Sequence, residues 1–290
     1  MTQHKQPVKN IIILGCGRSG TTLLASMFHK KNYTGTSMFV DPTHCPLIKK
    51  DIFNQPEVMT AFPDYSFEGY DGNSRGNFEC KQVNYINELI LSVYDNNGYS
   101  LSLGQRWIAS IDSSIKIKGG SQSGFPEIDE AITFLVQHEP FCYKDPRLSY
   151  TLPVWQPYLD SLDVIYICVF RHPQATAKSL QRECQLPHMN ISLTKSRCFE
   201  LWHNIYAHIL NNTSQKNCFF IHFDQILDYS GLSKLSKFCG ISLDKYLVKP
   251  DEVRHNHYRG FDDTPEHVIS MYETLCDRAY QYPFQGDKTV

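Results

Sequence analysis

An excess of positive or negative charge is what this sequence most clearly lacks. Its 28 lysines and arginines stand against 30 aspartates and glutamates, for a net charge of −2. So close a balance gives no general attraction for nucleic acid, and no basic run is present to hold an anionic membrane surface. Any anion site must therefore be local. Long apolar stretches are missing as well. The first ten residues are polar, and the run that follows, Ile11 to Leu14, is far too short for a signal h-region or a bilayer span. The expectation is a soluble, cytoplasmic protein. Ten cysteines occur without a single C-x-x-C pair, several of them inside apolar runs such as Ile165 to Phe170. They read as reduced core residues, not as metal ligands or a disulfide framework. Metal-ligand spacing is absent too: His255-Asn256-His257 is a lone close pair, and Asp262-Asp263 reads as a solvated turn. No repeat, low-complexity tract or domain boundary stands out.

What is present is an alternation. Strand patterns fall at 11–14, 141–143, 164–170 and 218–222, and helical patterns at 82–94, 128–137, 175–182, 193–211 and 268–280, which predicts an α/β layered fold. A chain of 290 residues with 41% hydrophobic content can bury one large core or two small ones. It is expected to form a single domain, interrupted at about 33–77 by a polar, Pro-, Gly- and Asp-rich insertion that resembles a lid.

The most informative stretch is IIILGCGRSGTTLLASMF, from Ile11 to Phe28. An unbroken β-branched run reads as a strand buried on both faces. The apolar positions Leu23, Leu24, Met27 and Phe28 then recur at helical spacing, so a helix begins at the glycine-rich turn and aims its first N–H groups back at it. An anion belongs there. Gly15 to Gly20 fits the dinucleotide pattern G-x-G-x-x-G, with Asp41 near the position of a ribose-binding acid. A nicotinamide-dependent oxidoreductase is thus one alternative. The same glycines have P-loop spacing, but Thr21 stands where the lysine of a nucleotide triphosphatase would be.

Arg18-Ser19-Gly20-Thr21-Thr22 also resembles the R-S-G-T-T form of the 5′-phosphosulfate loop of sulfotransferases, and three later blocks extend that likeness. The stretch from Arg171 to Ser179, after a second buried strand, is similar to the family's 3′-phosphate motif R-x-P-x-x-x-x-x-S. Lys144-Asp145-Pro146-Arg147 resembles its K-D-P segment, with Pro153 at a matching distance. Asn73 to Glu79 looks like a variant of the N-P-K-G-x-F-E segment of bacterial members. The resemblance implies a P-loop-like three-layer α/β/α fold with a central, mainly parallel sheet, and use of 3′-phosphoadenosine 5′-phosphosulfate (PAPS) as donor without a metal. A noncatalytic protein that only binds the sulfonucleotide is the other alternative.

The chemistry of sulfuryl transfer distributes roles to these residues. Negative charge grows on the bridging oxygen as the 5′-phosphate leaves, so cations must meet it, and Arg18 and Lys144 are the candidates. The amides of Gly17, Arg18, Ser19, Gly20, Thr21 and Thr22, with the three hydroxyls, would cradle the phosphate. Arg171 and Ser179 can hold the 3′-phosphate, an arginine forking onto it and a hydroxyl reaching it from two turns into the next helix. Arg259, in the late basic cluster Arg254 to Gly260, would close over it. Glu79 is the candidate general base, with Asp41 and His44 as substitutes. The expected partner is a small-molecule acceptor, with no nucleic acid and no membrane. Seven acids against three bases between Asp41 and Cys80 favour a polar or cationic acceptor, and the resemblance extends to tailoring enzymes of natural products.

Overall fold

The structure is a computed structural model and describes residues 9–29, 77–94, 100–118, 126–243 and 260–281. Among these residues four parallel strands form one sheet. They are β1 (Asn10–Leu14), β2 (Cys142–Lys144), β3 (Val164–Phe170) and β4 (Cys218–His222), in the spatial order β2-β1-β3-β4. The register sets Ile13 beside Lys144, Leu14 beside Cys168 and Phe170 beside His222.

The helices, in chain order, are α1 (Thr21–His29), α2 (Lys81–Leu91), α3 (Pro126–Val136), α4 (Leu148–Leu159), α5 (Pro173–Cys184), α6 (Lys195–Asn212), α7 (Phe223–Leu227), α8 (Ser230–Cys239) and α9 (Glu266–Gln281). They fall on two sides because strand side chains alternate. Ile12, Leu14, Tyr166, Cys168 and Phe170 enter a core shared with α2 to α6 and α9. Ile11, Ile13, Ile165, Ile167 and Val169 enter a second core with α1, α7 and α8. This is a three-layer α/β/α arrangement, and it explains why the strands read as continuous apolar runs and not as alternating ones.

Helix α4 has no counterpart in the sequence reading, because Pro153 and Pro157 both lie inside it. Proline removes an N–H and normally ends a helix. Here the carbonyl of Ser149, which loses its i+4 partner to Pro153, accepts from Asn212 Nδ2 at 3.5 Å. Leu148, Leu152, Trp155 and Leu159 bury the inward face and hold the helix by packing. The short helices α7 and α8 also went unread. The polar segment at 33–77 lies outside the described residues apart from Asn77.

The strand order places the site. From β1 the chain goes to β2 on one side, and β3 returns on the other, so β1 and β3 flank a topological switch point. In open α/β sheets, ligands bind in the crevice at the carboxyl ends of such strands. The loop after β1, Lys144 at the end of β2, Arg171 after β3 and His222 at the end of β4 form a row along that edge, about 15 Å from first to last at ordinary strand spacing. Helices α1, α4 and α5 start there and present their positive ends.

Gly15 makes the exit from β1 at φ +146°, and a Cβ at that position would lie 2.3 Å from the carbonyl oxygen of Val169. Gly15→Ala is expected to lower unfolding free energy by at least about 1–3 kcal/mol, the usual scale of such backbone strain. Gly260→Ala, where the nearest atom is 3.7 Å away, should be close to neutral. Equal urea midpoints for the two variants would contradict the strand-exit constraint.

Candidate functional site

The loop from Gly15 to Gly20 is braced from three sides. The amide of Gly15 donates to Ser149 Oγ (3.2 Å), and that of Cys16 donates to the hydroxyl of Tyr206 (3.3 Å), which itself donates to the carbonyl of Val169 (2.9 Å). The indole of Trp107 covers Gly17, where a Cβ would come within 2.6 Å of the ring, and the ring of Phe223 covers Gly20 at 2.3 Å. Arg18 has φ +70°, an uncommon conformation for a residue with a Cβ. Such strain persists where surrounding structure fixes it, and it is common at ligand sites. Ser19 is fully buried, and its hydroxyl donates inward to the carbonyl of Cys16. In this structure it braces the loop and does not face outward with Thr22. Burial pushes the Cys16 thiol well up, so this cysteine stays protonated.

Lys144, Glu79 and Thr22, from three separate parts of the chain, meet. The Lys144 ammonium donates to Thr22 Oγ1 (3.1 Å), to the carbonyl of Asn77 (3.1 Å) and to Glu79 Oε1. Its side chain is only 3% exposed, and that of Glu79 14%. Phe78, between Asn77 and Glu79, adopts φ +53°, a marked outlier for a bulky residue. That turn carries the Asn77 carbonyl and the Glu79 carboxylate to the same ammonium.

A buried network extends from this point. Asp145 Oδ1 accepts from the Arg147 amide and guanidinium, both at 2.9 Å, and Oδ2 accepts from Asn87 (2.9 Å). Arg147 Nε donates to Glu88 Oε1 (2.6 Å), and Glu88 also accepts from the backbone and side chain of Arg106. Burial alone would lower Arg147, but Asp145, Glu88 and Glu79 outweigh it and keep the guanidinium charged. Trp107 follows Arg106 directly, so the network also fixes the ring that covers Gly17. Sequence reasoning gave no role to Asp145, Arg147, Glu88 or Trp107. The K-D-P-R spelling was the available signal for two of them.

On the β3 side, the Arg171 guanidinium lies over the Phe223 ring at 4.7 Å. Stacking on an aromatic face leaves the planar edge of an arginine directed at its surroundings. Arg18 departs from expectation. It reaches across the loop to donate from Nε to Ser179 Oγ (3.2 Å) and pairs with Glu183 at 3.5 Å, instead of turning to Lys144. The reason is electrostatic: the Glu183 side chain is 4% exposed and its carboxylate needs a cation. Arg18 and Ser179, from two sequence motifs, are thus adjacent, and Phe223 touches both the loop and Arg171. Asp41, His44 and Arg259 lie outside the described residues. Phe261, two residues beyond Arg259, stacks on His172 at 4.9 Å.

His172 and His222 cap the helices that follow β3 and β4. Nδ1 of His172 accepts from the Gln174 amide (3.3 Å), and Nδ1 of His222 from the Asp224 amide (3.1 Å). Both rings must be unprotonated at that nitrogen. Nε2 of His222 therefore carries the hydrogen and donates to Tyr272 Oη at 3.2 Å. Burial, then the neighbouring His222, push His172 down to about 4, with Arg171 adding to the effect against Asp224. Burial lowers His222 as well. Among the described residues no group of three His, Cys, Asp or Glu could hold a metal, and no helix is long and apolar enough to cross a membrane.

Among solved structures the chain is similar to sulfotransferase STF1 from Mycobacterium tuberculosis H37Rv, with a TM-score of 0.51 and 13% identity over 93% of this chain and 77% of that one. It also aligns with sulfotransferase STF9 from Mycobacterium avium (TM-score 0.46, 15% identity, 97% of this chain and 78% of that one). A third alignment is to the sulfotransferase domain of the Synechococcus PCC 7002 olefin synthase (TM-score 0.42, 16% identity, 99% and 92%). No protein-family model and no curated protein matches the chain. The likeness to the first of these structures establishes the fold: a parallel sheet with flanking helices, of the sulfotransferase kind.

An unfolded histidine protonates near pH 6.5. Folded His172 does so near 4, so between these values the unfolded chain binds more protons and stability falls as pH drops. His172→Asn keeps an acceptor for the cap but does not titrate. Its stability should fall less steeply than that of the native protein from pH 6.5 to 4 in urea titrations, and parallel curves would contradict the cap assignment.

Proposed function

We propose that this chain is a sulfotransferase that moves the sulfuryl group of PAPS to a hydroxyl or amine of a small molecule. What supports this reading above all is the convergence of Lys144, Glu79 and Thr22 at one side of the loop, while at the other Arg18 meets Ser179 and Arg171 stacks on Phe223, the ring that covers Gly20. The residues fit such a donor. It carries phosphates at two ends of a nucleoside, and this edge offers Lys144 on one side of a glycine loop and Arg18 and Arg171 on the other, with two helix N-termini beside them. PAPS supplies an activated sulfuryl group when bound.

The chain's own residues then divide the work. The loop amides and the hydroxyls of Thr21 and Thr22 hold the 5′-phosphate. Arg171 and Ser179 hold the 3′-phosphate, with Arg259 as a further candidate. Arg18, seated on Ser179, stands between the two. Lys144, whose three ammonium hydrogens are held by Thr22, Asn77 and Glu79, redirects one of them to the charge that develops on the leaving oxygen, and its buried position strengthens that interaction relative to water. Glu79 accepts the proton of the acceptor. Its pairing with Lys144 brings base and electrophilic partner within one contact of each other. The excess of acids from Asp41 to Glu79 supports a polar or cationic acceptor over a phenol or a carboxylate.

Turnover of a labelled sulfuryl donor against a panel of amines, alcohols and phenols tests this reading. The native protein should label an acceptor, preferring cationic ones at low salt. Lys144→Ala should cut kcat by about a hundredfold or more, the usual scale for a lost transition-state donor, while the affinity for 3′-phosphoadenosine 5′-phosphate changes little. Unchanged kcat would remove Lys144 from the chemistry, and no labelled product from any acceptor would leave only nucleotide binding.

A further inference from the structure

Beside Lys144 and Glu79 sits a buried amide with one end unused. Asn84, one turn into α2 and 8% exposed, donates from Nδ2 to Glu79 Oε2 at 2.8 Å, while its own Oδ1 is buried without a hydrogen-bond partner. The orientation follows from the carboxylate, which only accepts. Asn87, three residues on, shows the contrast. Its Nδ2 donates to Asp145, and its Oδ1 accepts from both Thr151 (2.7 Å) and Trp155 (2.9 Å). One asparagine of this helix is thus engaged at both ends, and the one that touches the candidate base at only one.

We propose that Asn84 is a positioning residue for Glu79 and exchanges its two ends as Glu79 changes protonation state. The proposal rests on the reading of Glu79 as general base. Glu79 Oε1 faces the Lys144 ammonium, so Oε2 is the oxygen that receives the proton. In the transfer the O–H or N–H bond of the acceptor breaks, and its proton passes to Oε2. The electron pair left behind forms the bond to sulfur, while the sulfur–oxygen bond to the 5′-phosphate breaks with its pair remaining on the phosphate. The new Glu79 O–H then needs a hydrogen-bond acceptor, and rotation of the Asn84 amide about χ2 presents Oδ1. A carboxamide, with a donor at one end and an acceptor at the other, serves both states without a change in volume. The charged groups that face Glu79 include Lys144 from β2 and Arg147 at the head of α4. Both are cations and cannot accept a hydrogen bond from the new Glu79 O–H, whereas Asn84 Oδ1 can.

A double-mutant cycle with Glu79→Gln tests this, with kcat followed by labelled-donor turnover. Asn84→Ala is expected to lower kcat about tenfold, the upper scale of one neutral hydrogen bond, with affinity for 3′-phosphoadenosine 5′-phosphate within about twofold. In the Glu79→Gln background, where no proton is taken up, it should cost nothing further. An equal loss in both backgrounds, or no loss in either, would overturn the proposal. If Glu79→Gln itself leaves kcat within about twofold, it is the general-base reading that fails. Should Asn84→Ala not fold, the isosteric Asn84→Asp decides: a carboxylate against Glu79 should move the acid limb of kcat to higher pH by about one unit, and an unmoved limb would overturn the proposal.

Discussion

The buried pair of Arg147 and Glu88 is the contact on which the rest of the arrangement depends. It ties α2 to the turn that follows β2, and everything functional on that side hangs from those two elements. Glu79 precedes α2 and meets Lys144 at the end of β2, and the clamp one helical span away holds the two elements together. Through Arg106, the same carboxylate of Glu88 fixes the segment that lays Trp107 on Gly17. Breaking such a pair strands a charge in a dry interior, at a typical cost of about 3–5 kcal/mol. The network is closed by hydrogen bonds at nearly every oxygen, which is the condition under which buried charge is tolerable.

A second constraint is the sheet edge itself. Parallel strands begin every following segment at the same edge of the sheet, so three sequence motifs far apart in the chain reach one crevice without any long-range signal between them. Phe223 and Trp107 then act as wedges, each against a glycine that has no room for a side chain. The loop is thus braced where a phosphate would sit; Arg18, at its strained φ, is held by Ser179 and Glu183, and Phe78 packs against the second core.

Much of this was legible in the sequence. The apolar run before Gly15, the glycine loop, and the strand-arginine-proline pattern at Arg171 each imply their own local structure, because β-branched runs, glycine and proline restrict the backbone directly. Glu79 and Lys144 were nominated separately, and the structure places them in contact. What remained hidden was of two kinds. Helix α4 contradicts the rule that proline ends helices, and only its buried face and the side chain of Asn212 make it possible. The direction of Arg18, the stack of Arg171 on Phe223 and the wedge of Trp107 all depend on residues distant in sequence, which no local pattern encodes.

The central claim is that Lys144 on one side of the glycine loop and Arg171 on the other mark the two ends of one sulfonucleotide site, and calorimetry tests it most directly. The protein should bind 3′-phosphoadenosine 5′-phosphate, bind an analogue without the 3′-phosphate at least about tenfold more weakly, and give no heat with NAD. Arg171→Ala should abolish the difference between the first two. Tight binding of NAD, or an equal loss of affinity for both adenosine nucleotides in Arg171→Ala, would contradict the account.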